Sequence, residues 1–160
     1  MANIDKTGCG PTAGLNAIPH DGPGKSYVLG GQSIDLTGAA IVQADVYQCL
    51  AIPPNTLVES VHIIIDTAAV GTTLTMDVGD GGSTAGWMAS TNGKATAGTY
   101  DHSTVGTDAR SVAANNGYFY ANAGTVAVPL GDSIDVVMTT ATAITAGPKF
   151  RVFAVCSNLN

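Results

Sequence analysis

Charge is scarce in this chain of 160 residues: lysine and arginine total 6, aspartate and glutamate total 12, and Glu59 is the sole glutamate. With Glu, Lys and Arg so few and leucine modest, the strong helix formers are nearly missing. Cysteines number 3, at Cys9, Cys49 and Cys156, with no CxxC pair, which argues against a zinc knuckle. Cys49 and Cys156 fall in apolar, strand-like runs and read as buried free thiols, suited to a reducing cytoplasm. One disulfide among the three stays open, and the sequence does not choose its pair. No apolar run nears the ~20 residues that span a bilayer. The first residues lack a basic patch followed by an apolar core, so no signal peptide is expected. A formal net charge of −6 opposes direct contact with nucleic acid, which needs a basic footprint, and with anionic lipid. It favours solubility and a basic protein partner.

Alanine, glycine and threonine together exceed a third of the residues. Threonine and valine suit strands, and glycine suits turns. Residues 1–25 form a block of their own, broken by Gly8, Gly10, Pro11, Gly14, Pro19, Gly22, Pro23 and Gly24, and cannot build a core. This block reads either as a tail or as an extended N-terminal arm that orders on a neighbouring subunit, with Ile4, Leu15 and Ile18 as its anchors. Residues 26–160 form the one folded domain. Residues 26–29 and 33–36 read as a hairpin around Gly30-Gly31. A strand over 42–52 ends at Pro53-Pro54. In the strand over 56–66, period two puts Leu57, Glu59, Val61, Ile63 and Ile65 on one face. The apolar run Ile63–Ile65 marks it as central and covered on both faces.

Residues 72–78 turn Leu74, Met76 and Val78 inward, and Asp80-Gly81-Gly82 reverses the chain. A short strand over 85–88 carries Trp87, and a short strand or hairpin sits near 99–105 inside the long polar excursion 89–116. Strands follow at 118–121 and 125–130. Residues 133–140 turn Ile134, Val136 and Met138 to one side, and 149–156 turn Phe150, Val152, Ala154 and Cys156 to one side. Eight to ten strands with no βαβ rhythm give an all-β, antiparallel β-sandwich, of jelly-roll type, with an immunoglobulin-like sandwich as the alternative.

Candidate chemistry is thin. Asp77, Asp80 and Asp101 are oxygen ligands of the kind calcium takes, but Asp77-Val-Gly-Asp-Gly-Gly lacks the EF-hand spacing and reads as a turn. His20, His62 and His102 show no ligand spacing, and each reads as solvated or packed. No G-x-S-x-G elbow, P-loop or strand-linked G-x-G-x-x-G occurs, and no carboxylate pair stands out for glycosidase chemistry. The chain reads as a non-enzyme with no cofactor and no metal. Trp87 and the Tyr118-Phe-Tyr120 cluster suit either a sugar platform or an interface. Trp87 and Phe119 are expected in the core, leaving Tyr118 and Tyr120 as surface contacts.

Asp45-Val-Tyr-Gln-Cys-Leu-Ala-Ile-Pro-Pro-Asn-Thr-Leu-Val58, Val78-Gly-Asp-Gly81, Gly86-Trp87 and the ending Lys149-Phe-Arg-Val-Phe-Ala-Val155 form a pattern of strand edges and turns. Over about residues 40–156 it resembles the capsid decoration, or cement, proteins of tailed bacteriophages. That resemblance implies a virion protein made in the host cytoplasm and placed on the capsid outer surface. It implies an assembly of three copies, a homotrimer, bound to the major capsid protein and strengthening the shell. The alternative is a carbohydrate-binding or host-adhesion module of a phage fibre; a tail or surface-layer subunit is a third.

Overall fold

A computed structural model describes residues 3–5, 26–53, 55–102, 118–120 and 133–158. Every regular element among them is a strand: β1 (Asn3–Asp5), β2 (Ser26–Asp35), β3 (Val46–Ala51), β4 (Thr56–Thr67), β5 (Thr73–Asp80), β6 (Ser83–Asn92), β7 (Tyr100–His102), β8 (Tyr118–Tyr120), β9 (Ser133–Thr142) and β10 (Lys149–Asn158). They form two sheets. The first runs β1-β3-β9-β5-β6; the second runs β2-β10-β4-β7, with β8 also on β4. All pairings are antiparallel except β1 on β3, which is parallel. The expected all-β sandwich is present.

Between the sheets lies one apolar core. Trp87 sits in it with no solvent exposure, among Leu29, Ile63, Met76, Ile134, Met138 and Phe150. The alternations expected for three strands hold. Leu74, Met76 and Val78 of β5, Ile134, Val136 and Met138 of β9, and Phe150, Val152, Ala154 and Cys156 of β10 are all buried. Cys49 and Cys156 are buried free thiols. Burial leads the causes that push both thiols up, Cys156 to about 12, so neither ionises near neutral pH.

Asp80 makes the expected reversal. Its carboxylate accepts the backbone N–H groups of Gly82 and Ser83, both at 2.9 Å. A side chain at Gly79 would meet the Ser83 carbonyl at 2.0 Å, so the hairpin closes only over a glycine.

Three expectations need correction, each because of a bulge or turn. Residues 26–36 are not a hairpin. β2 is continuous, and Gly30 and Gly31, with φ of 94° and 93°, lead into a bulge at Gly31-Gln32 inside it. Gly30 pairs with Phe153 and Ser33 with Arg151, so two residues of β2 face one of β10. The strand expected from residue 42 begins at Val46, because Ala44 takes a left-handed φ of 71° and Asp45 accepts the Val42 N–H. In β4, Leu57 and Glu59 do not share the inner face with Val61. Ser60 pairs with Val155 but Val58 with Cys156, so the unpaired Glu59 is an extra residue. The phase flips there, and the buried set becomes Thr56, Val58, Val61, Ile63 and Ile65. The strand bearing Trp87 is also longer than expected, spanning Ser83–Asn92.

The Gly30 bulge carries β2 over the edge of the core. A Cβ there would lie 2.3 Å from Leu50 Cδ2 and 2.7 Å from the Val152 carbonyl oxygen, whereas one at Gly31 would meet nothing within 4 Å. Both positions carry the left-handed penalty, roughly 1–3 kcal/mol for a non-glycine residue. Gly30→Ala is therefore expected to lose more stability than Gly31→Ala, because only Gly30 adds a clash against backbone. Urea unfolding of the two variants checks this; equal losses would place the cost in the backbone angle alone.

Candidate interface on the outer face of the second sheet

The two sheets present different outer faces. The first is lined by Thr73, Thr75, Asp77, Thr139 and Gln48, half-buried to exposed. The second carries rings. Strand pairing sets Phe153 of β10 opposite His62 of β4, and His62 opposite His102 of β7. Strands stand about 4.8 Å apart, and flat side chains in such a row stack. Phe153 and His62 lie 4.8 Å apart at 7°, and His62 and His102 lie 6.1 Å apart at 18°. Tyr100, two pairs along opposite Ile64 and 51% exposed, stacks on both histidines at 5.6 Å.

His62 is held at both nitrogens. Nε2 lies 2.8 Å from the Ser60 hydroxyl, and Nδ1 bonds the Tyr100 hydroxyl. Either side, Val28 is 49% exposed and Val155 and Ile64 are half-buried. Charge is neutralised locally. The Arg151 guanidinium grips Asp66 through Nε (3.1 and 3.0 Å) and a terminal nitrogen (2.8 Å). Glu59, turned off the core by its bulge, accepts from Ser26 at 3.3 Å and from Ser157. The result is an apolar, aromatic face on an acidic protein. Faces of this kind suit protein contact. The rings stack on one another, so their edges rather than their faces point outward. A sugar platform needs a free ring face.

Of the contact candidates, Ile4 lies in β1, opposite Tyr47 in backbone register. Tyr118 and Tyr120 lie in β8, opposite Val58 and Thr56. Leu15 and Ile18, with Cys9 and His20, fall outside the described residues, as does the strand expected at 125–130. Trp87 is a core residue, as expected.

Asp77, Asp80 and Asp101 are not drawn together. Asp77 accepts the Ser90 N–H at 2.8 Å, Asp80 closes its turn, and Asp101 accepts the His102 N–H at 2.9 Å. No cluster of three metal-ligating side chains occurs among the described residues. Asp101 and Tyr100 also border a cleft of about 100 Å³ between β4, β6 and β7, below the roughly 300–1,000 Å³ of small-molecule sites. His62 reads as packed, as expected, and the structure adds a neighbour that the sequence did not show. His62 and His102 are 40 positions apart in number but directly opposed in space. Period-two reading places both on strands; only the pairing register brings them together.

No protein-family model matches the chain, and no curated protein matches it. Solved structures do resemble it. One is a chain in the capsid of Ralstonia phage GP4, with a TM-score of 0.67 and 17% identity over 98% of this chain and 98% of that one. Another is a chain in the cyanophage Pam1 capsid asymmetric unit, with a TM-score of 0.57 and 21% identity over 92% of this chain and 94% of that one. At these identities the likeness is one of fold.

Burial, and then the neighbouring His102, hold the His62 pKa below the ordinary histidine value. The unfolded chain takes up this proton near pH ~6.5, the folded chain only at lower pH. Between those values the unfolded state binds more protons. Stability from neutral His62 is thus full above about pH 6.5 and declines as pH falls through that window. The melting temperature is expected to drop between about pH 7.5 and about pH 5, and to drop less in His62→Phe, which keeps a stacking ring without the titration. Thermal melts across that range check this; parallel curves would remove His62 from the acid response.

Proposed function

We propose that this chain is a non-enzymatic structural protein of a phage virion. In this reading it binds the outer surface of the capsid through the major capsid protein and stabilises the shell. One observation carries it: the fold likeness runs along nearly the whole of both chains in two phage capsid structures. The surface chemistry supports it. Many copies acting together let each contact be modest, so a flat ring-lined face and short apolar anchors suffice without a deep pocket. The net charge of −6 suits a basic shell surface. A homotrimer would bury apolar faces around its axis. The segment 1–25 acts as the arm, and Ile4, Leu15, Ile18, Tyr118 and Tyr120 are the proposed contacts, to which the Phe153–His62–His102 row is added.

Co-sedimentation with capsids that lack this protein tests the reading, with the mass of the free protein measured alongside. Saturable binding at a fixed ratio to capsid subunits is expected, with a mass of three chains. A protein that stays in the supernatant at saturating concentration refutes capsid binding.

Deletion of residues 1–22 is expected to leave the melting temperature within a few degrees of the full chain and to weaken attachment. Attachment as tight as that of the full chain would remove the arm from the contact.

A further inference from the structure

We infer that β1 is a strand exchanged between copies of this chain, so that in the assembled form the edge of β3 receives the Asn3–Asp5 segment of a neighbouring copy. The partner is a second copy, and the site is the backbone of Val46–Gln48. This deepens the arm reading of residues 1–25 but does not depend on the capsid.

The argument starts from sheet edges. An edge strand presents unpaired N–H and C=O groups, and sheets blunt their edges with bulges, short strands or a covering strand. Three of the edges carry their own device. β2 is bulged at Gly31-Gln32. β6 has register shifts against β5 and a left-handed Ser90, φ 59°. β7 and β8 are three residues each. The regular stretch Val46–Gln48 of β3 is instead covered by β1, in register Asn3↔Val46, Ile4↔Tyr47 and Asp5↔Gln48.

That cover is added from outside the meander. β1 is the one strand that runs parallel to its partner. The next strand in the chain, β2, belongs to the other sheet. A parallel pairing needs a long connection; residues 6–45 separate β1 from β3, and the part that joins β1 to β2 is residues 6–25. Fully extended, that connection reaches roughly 70 Å at most, enough to pass from one small domain to the next.

Energetics point the same way. Backbone hydrogen bonds contribute about 0.5–1.5 kcal/mol each, against an ordering cost of about 1–2 kcal/mol per residue. Three residue pairs therefore hold a terminal strand only weakly in its own chain. Where copies close into a ring, a neighbour's edge can take the place of the chain's own. Each exchange then also links two subunits, and the links reinforce one another around the ring.

The test uses the full chain with Cys9→Ser, leaving the buried Cys49 and Cys156 unreactive. Two further variants carry one added cysteine each, Asn3→Cys or Val46→Cys, at paired backbone positions. The two are co-expressed and treated with a short bis-maleimide. A covalent two-chain product, absent when either variant is treated alone, is expected from exchange. A chain carrying both substitutions serves as the control for pairing within one copy. Cross-linking only within that double variant, as a one-chain product, would overturn the proposal. Failure to cross-link in both arrangements would overturn it too, because β1 would then not occupy this edge. The readout is made on free protein, so a failure of capsid binding leaves its result unaffected.

Discussion

β10 is the strand on which the architecture depends. It pairs with β2 on one side and β4 on the other along nearly its whole length, and its inner residues Phe150, Val152, Ala154 and Cys156 are all buried. Both flanking strands are bulged against it: β2 at Gly31-Gln32, and β4 at Glu59 and again at Asp66. A bulge bends the strand and increases its twist. The bend at Gly30 brings β2 onto Leu50 of the opposite sheet, which closes the sandwich at one corner. The bulge at Glu59 frees that carboxylate from the core, where its charge would be costly, and gives it to Ser26 and Ser157 on the flanking strands.

The bulges at Gly31-Gln32 and Glu59 decide which side chains reach the outside. Past Glu59 the phase of β4 changes, so Ser60, His62, Ile64 and Asp66 face outward while Val61, Ile63 and Ile65 face in. His62 is thereby aligned with Phe153, and Asp66 comes within reach of Arg151. The ion pair is partly exposed, so its net contribution to stability is small. Its larger effect is to leave the face without a free charge. The ring row is then a consequence of register rather than of any local motif.

That explains what could be read from the sequence. β5, β9 and β10 keep one phase over their inner positions, and their core residues follow from alternation alone. The Asp80 turn is local chemistry, and it too is legible. Gly30-Gly31 is ambiguous, because two glycines with left-handed angles serve a hairpin or a bulge equally, and only the continuous partner β10 decides. Glu59 looks inward by period two until one inserted residue resets the count. The ring row joins Phe153, His62, Tyr100 and His102 from three strands, so no window of sequence contains it. Of the contact residues named from sequence, Ile4, Tyr118 and Tyr120 have a backbone position, and Leu15 and Ile18 fall outside the described residues.

Titration separates the inside of this protein from its outer face. The Cys49 and Cys156 thiols and the Tyr47 and Tyr27 hydroxyls are all pushed up, in each case chiefly by burial, Tyr47 to about 12. These groups stay neutral across the physiological range, so pH does not alter the core through them. His62 goes the other way: burial, and then the neighbouring His102, hold its pKa below the ordinary histidine value. It sits within the stacked row, with His102 and Tyr100 on one side and Phe153 on the other. Protonation there sets charge beside a second histidine on a face otherwise free of unpaired charge. The buried thiols and tyrosines stay neutral while His62 titrates, so the pH response carried by these groups falls on that face.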